Sequence, residues 1–143
     1  MRTKILHDKL GKIPLVIAEV GQNHQGSLKI AKEYIREFSK CGADIIKFQA
    51  RNNKRLFSKE AYNKIYDSEN SFGKTYGQHR EKLELSFNDL RELKKECKKR
   101  NLLFMVTPFD ETSLKLVSKL NVDIIKIASF DLGNLPFINL ISK

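Results

Sequence analysis

Tryptophan is absent from this 143-residue chain, and cysteine, methionine and proline are scarce, at two, two and three residues. The two cysteines, Cys41 and Cys97, both fall in stretches with helical periodicity. That excludes a disulfide-stapled scaffold and a cysteine-rich metal centre, and reduced thiols in a cytoplasmic protein are the expectation. Seven scattered glycines leave no low-complexity segment. No apolar run approaches the roughly 18 residues of a membrane span. The opening Met1-Arg2-Thr3-Lys4-Ile5-Leu6-His7 has neither the apolar core nor the cleavage site of a secretory leader. Acidic residues are also few, 17 against 27 Lys and Arg, for a formal charge of +10. Such a balance suits nucleic acid, an anionic membrane or small acidic substrates. Here the cations gather on helix surfaces. Lys94, Lys95, Lys98, Lys99 and Arg100 occupy the last turns of one helix, where positive charge suits the dipole. They read as a solvated face, and no RNA-binding aromatic signature accompanies them.

What is present is a hydrophobic fraction of 41% arranged as four apolar runs, near 13–21, 43–49, 102–109 and 122–129. Each run ends in polar chemistry: Glu19 in the first, Lys47 and Gln49 in the second, Thr107-Pro108-Phe109-Asp110 in the third, Lys126 and Ser129-Phe130-Asp131 in the fourth. Helical segments separate them. Leu28, Ala31, Ile35 and Phe38 recur at helical spacing between Ser27 and Cys41, with Gly42 as the stop. Ser86-Phe87-Asn88-Asp89 caps a helix with Leu90, Leu93 and Cys97 as its stripe. Asp110 caps a third, with Leu114, Val117 and Leu120, and Pro136 fits the first turn of a fourth. Continuous apolar runs separated by helices predict parallel strands covered by helices. Alternation places Ile45, Lys47 and Gln49 on one face, and Ile17, Glu19 and Gly21 likewise. If that face lines a barrel, carboxylate, ammonium and amide converge at its C-terminal mouth.

Residues 50–85 break the rhythm, being far longer than the usual two to six residues of a βα loop. Charge, Asn and Tyr dominate there, with Arg51, Tyr62, Tyr66, Tyr76, His79 and Arg80, while Phe57, Ile65 and Phe72 argue for order. An active-site-covering loop with short helices is expected. Four βα units fit this length, whereas a complete barrel takes about 250 residues. The expected fold is therefore α/β, the first half of a TIM-type (β/α)8 barrel, forming one partial domain over 1–143.

Ile17-Ala18-Glu19-Val20-Gly21 with Asn23-His24, then Lys47-Phe48-Gln49, Thr107-Pro108-Phe109 and Lys126-Ile127-Ala128-Ser129 together resemble the sialic acid synthase family. That family includes N-acetylneuraminate, N-acetylneuraminate 9-phosphate, legionaminate and pseudaminate synthases. Ser71 to His79 is similar to the family's loop between the second strand and second helix. The resemblance implies condensation of phosphoenolpyruvate with an open-chain N-acetylated amino sugar such as N-acetylmannosamine, releasing phosphate with C–O cleavage. It also implies a divalent metal, Mn²⁺ or Mg²⁺, polarising the aldehyde.

On that resemblance Lys47 and Lys126 meet the phosphate and carboxylate of phosphoenolpyruvate, helped by Ser129 and by Thr107. Glu19 and Gln49 bind sugar hydroxyls or hold water, and Asp131, where relatives often carry Glu, handles a proton. Phe130 after Ser129 is closer to pseudaminate synthases than to those with Gly there. No metal ligand is assigned within this chain: the family's two ligating histidines, like its C-terminal antifreeze-like domain, are expected beyond it. His24 is either a ligand or an orienter of its own turn, and His79 and Arg80 either reach the sugar or stay on a surface loop. Open sheet edges imply self-association or a complementary half-barrel as partner. Two other classes remain: a Schiff-base aldolase using Lys47 or Lys126, and a non-enzymatic basic fragment that binds anions or RNA.

Overall fold

Period-two alternation along each apolar run decides which side chains meet the helices. The computed structural model describes residues 12–142. Its sheet is four-stranded and wholly parallel, in the order β1 (Ile17–Gly21), β2 (Ile45–Ala50), β3 (Leu103–Pro108), β4 (Ile124–Ile125). Even-numbered residues, among them Val20, Ile46, Phe48, Phe104 and Val106, face one layer of helices and are almost fully buried. That layer comprises α1 (Leu28–Lys40), α5 (Phe87–Lys99) and α6 (Glu111–Leu120). They deliver Ala31, Ile35, Leu90, Leu93, Cys97, Val117 and Leu120 into the same apolar cluster. Odd-numbered residues of β1, β2 and β3 form the opposite face, where Ile45, Leu103 and Met105 make a smaller cluster with Leu15 against it; parity reverses in β4, so Ile124 joins this cluster and Ile125 the larger one.

The helix starts follow the expected cap chemistry. Ser27 Oγ accepts from Ile30 N at 3.3 Å, and Asp110 Oδ1 accepts from Ser113 N at 2.9 Å. Ser86 and Asp89 form a reciprocal capping box. Asn121, at φ 52°, closes α6 in the left-handed conformation.

The 51–86 segment is ordered around α2 (Asn53–Leu56), α3 (Lys59–Asn63) and α4 (Tyr76–Lys82). Antiparallel pairing of Ile65 with Thr75 closes its outer part. His79 sits at the centre, with ring centroids 4.6 Å from Tyr66 and 5.8 Å from Phe72. The pairing of β4 is much shorter than the 122–129 run suggests. Asp123 Oδ2 takes the Phe104 amide at 2.9 Å, so a side chain replaces the strand's first backbone acceptor. Past Ile125 the amide of Lys126 still donates to Val106 O at 3.0 Å, and a 3-10 turn, Ser129–Asp131, follows. The last helix, α7 (Leu135–Ile141), carries Pro136 in its first turn.

Candidate active site

Parallel register puts Glu19 beside Lys47, and Gln49 beside Thr107, on the face away from the helices. Lys47 is buried in the sheet and forms an ion pair with Glu19, whose side chain is half exposed. Gln49 Nε2 donates to the other Glu19 oxygen at 3.3 Å. The carboxylate, ammonium and amide expected at one mouth therefore do meet in one hydrogen-bonded group.

The group continues through residues that sequence reasoning left as loop charges. Arg51 donates through Nη2 to Gln49 Oε1 and through Nη1 to Glu84 Oε1, the latter at 3.1 Å. Its backbone amide reaches Glu84 Oε2 at 3.1 Å, and Gln22 Nε2 adds a third donor to Glu84 at 2.8 Å. The guanidinium lies 4.0 Å over the Phe109 ring, which contacts Phe130 at 5.7 Å. Both charges are largely buried, at 7% and 15% side-chain exposure. Burial pushes the Glu84 carboxyl above its ordinary range, opposed by Arg51, and pulls the Arg51 guanidinium below its own, opposed by Glu84. One sequence signal pointed here: Arg51 continues the Lys47, Gln49 alternation. Nothing local pairs it with Glu84, 33 positions away.

The remaining candidates lie elsewhere on the strand ends. Thr107 is buried, and its hydroxyl oxygen has no hydrogen-bond partner among the described residues. Lys126 and Ser129 are exposed beyond β4. Asp131 is buried; its Oδ1 accepts from Asn134 Nδ2 at 3.3 Å, and its Oδ2 has no partner among the described residues. None of these four shares a hydrogen bond with the Glu19 group. His24 orients its own turn: Nδ1 accepts the Gly26 amide at 3.0 Å, and burial lowers its pKa, so the ring is held neutral. Among the described residues no three His, Cys, Asp or Glu side chains are placed to hold a metal ion. The described side chains do not by themselves form a Mn²⁺ or Mg²⁺ centre, and no chemical step below is routed through one.

The model of the NeuB family matches residues 34–143. The chain belongs to the NeuB family. It is 39% identical over 128 residues to the human N-acetylneuraminate-9-phosphate synthase, spanning 90% of this chain and 36% of that one. To the N,N'-diacetyllegionaminic acid synthase of Campylobacter jejuni it is 38% identical, over 92% of this chain and 40% of the other. Among solved structures, the N-acetylneuraminic acid synthetase of Leptospira borgpetersenii in complex with citrate superposes with a TM-score of 0.69 at 32% identity. That match covers 90% of this chain and 43% of the synthetase. This NeuB-family chain thus spans well under half the length of those relatives. Its parallel sheet and alternating helices correspond to the N-terminal half of their TIM-type barrel. Among the described residues no helix is long and apolar enough to cross a membrane.

Proposed function

We propose that this chain provides the substrate-binding half of a sialic acid synthase-type barrel. The reaction joins phosphoenolpyruvate to the aldehyde of an open-chain N-acetylated amino sugar, N-acetylmannosamine or a relative. The methylene carbon of phosphoenolpyruvate forms the new C–C bond, water adds at the adjacent carbon, and phosphate leaves with C–O cleavage. Products are a nonulosonic acid and inorganic phosphate. The observation that carries this reading is the Glu19–Lys47–Gln49 group, assembled from adjacent strands on the face away from the helices.

In that scheme Lys47 and Lys126 supply point charges for phosphoenolpyruvate. Ser129 and the unpartnered Thr107 hydroxyl supply hydrogen bonds. Glu19 and Gln49 bind sugar hydroxyls or the attacking water, and Asp131 moves a proton at the tetrahedral intermediate. The divalent metal that the family resemblance implies would polarise the aldehyde, and none of the described residues is assigned to hold it. The compartment we assign is the cytoplasm.

Calorimetric titration of phosphoenolpyruvate into the chain tests the reading. Wild type binds, and Lys47→Met weakens binding by about tenfold, the usual scale for one charge-assisted contact. Absence of binding at millimolar phosphoenolpyruvate sinks the reading. A borohydride-stable pyruvate adduct on Lys47 or Lys126 replaces it with Schiff-base chemistry.

A further inference from the structure

The helical layer sorts the basic cluster of α5 into two groups. Lys99 and Arg100 turn to Glu96, at 3.7 and 3.0 Å. Lys94, Lys95 and Lys98 instead join Arg91 and, from α6, Lys119 around a groove of about 420 Å³ between the two helices. No carboxylate lines it. The rest of its lining is apolar, Phe87 and Leu120, both packed into the main core. Two of the cations hold the groove in shape. Lys94 Nζ donates to the Leu120 carbonyl at 2.9 Å and to that of Asn121, which rivets α5 to the end of α6. The Lys119 ammonium lies 5.8 Å over the Phe87 ring. Lys95 shares an exposed ion pair with Glu92 at 2.8 Å. Arg91 and Lys98 are exposed, and neither makes a hydrogen bond or an ion pair with a described residue.

We infer that this groove docks an acidic peptide segment of a partner protein, one apolar side chain flanked by Asp and Glu. Charge complementarity carries the choice: the groove is ringed by cations without a carboxylate, on a chain of formal charge +10. Arg91, Lys95 and Lys98 follow one another at spacings of four and three, so they share one face of α5 over about 10 Å. That stripe suits carboxylates, and the Phe87–Leu120 floor suits the apolar side chain between them. Nucleic acid fits the groove less well. Bases stack on open aromatic faces, whereas the Phe87 ring carries the Lys119 ammonium and packs against the core. A bilayer takes up apolar groups that protrude from a basic surface, and here they lie at the bottom of a concavity. The groove belongs to the helices, and the Glu19 group projects from the other face of the sheet. A partner seated in the groove therefore leaves the mouth open.

Fluorescence anisotropy on the chain, with a labelled peptide of Asp and Glu around one central Leu, tests this. Wild type is expected to bind that peptide, and to bind its counterpart with a central Ala about tenfold more weakly. Arg91→Glu combined with Lys98→Glu is expected to weaken binding of the Leu peptide by about tenfold or more. Lys29→Glu combined with Lys59→Glu makes the same change in net charge at exposed positions outside the groove. That control is expected to weaken binding by less than about threefold at 0.15 M salt. Absence of binding, equal binding of the Leu and Ala peptides, or equal losses in the two double variants overturns the assignment. So does tighter binding of a labelled polyuridine of the same charge, which makes the face a nucleic-acid surface, or of phosphatidylserine vesicles, which makes it a membrane surface. Should the Arg91 and Lys98 variant fail to fold by circular dichroism, the wild-type amide resonances of Leu120 and Asn121 decide. They shift on adding the Leu peptide, or the assignment falls.

Discussion

Glu84 does more for the site than any residue that the motifs single out. It accepts from the side chain and backbone of Arg51 and from Gln22, and so ties the turn after β1 to the end of β2. Removing one member of a buried ion pair strands the other, which costs far more than the pair itself contributes. Glu84→Ala is expected to destabilise the chain by about 3 kcal/mol, read as a lower midpoint in urea. The double replacement Arg51→Met with Glu84→Leu is expected to recover most of that loss, because no charge is left buried and apolar volume is retained. Loss in the double variant equal to the sum of the single losses means the pair is not coupled. The same network explains what alternation could find and what it could not. Glu19, Lys47 and Gln49 share faces at a spacing of two, so their meeting was legible. Arg51 and Glu84 meet across a segment with no period, and no residue between them records the contact.

Within elements, the same four residues are used twice. Asp44-Ile45-Ile46-Lys47 enters β2 and Asp123-Ile124-Ile125-Lys126 enters β4. In both places the aspartate side chain binds the backbone amide of a neighbouring segment, Val16 N at 3.0 Å and Phe104 N at 2.9 Å. Each lysine thus stands three residues past a side-chain clamp, Lys47 within β2 and Lys126 just past the end of β4. Their surroundings differ: Lys47 is enclosed between β1 and β3, and Lys126 is exposed on the open side of β4. Strands and helix caps were legible because pleat and cap chemistry are local. The length of β4 was not, since a side chain competing for a backbone amide leaves no mark on hydropathy. The helices of the 51–86 segment were harder still, because aromatic packing and close approach position them. Gly77 illustrates this: a Cβ there would stand 2.3 Å from the Tyr62 ring. Gly77→Ala is expected to separate α3 from α4, raising amide exchange across 53–82 while α1 and α5 keep their protection. Uniform loss of protection over the whole chain would show that the segment is not a separate unit.

At the scale of the molecule, two properties oppose each other. Among the described residues the sheet is open, and β1 and β4 form its two edges. Beside one edge lie exposed Ile13, Val16 and Ile17, and beyond the other lie exposed Phe130, Leu132 and Leu135. Apolar side chains flanking a free strand edge favour pairing with another copy of the chain. The formal charge of +10 works against this, since each copy repels the next. Salt distinguishes the two terms, because it shortens the reach of charge from about 10 Å at 0.1 M to about 3 Å at 1 M and leaves apolar burial intact. Sedimentation velocity is therefore expected to show association that grows with protein concentration and grows again as salt is raised. Leu132→Glu combined with Leu135→Glu is expected to return the chain to a monomer under the same conditions. A monomer at every concentration and salt would mean that other contacts satisfy the two edges. Association that weakens with salt would mean that charge, and not the apolar margins, brings the copies together.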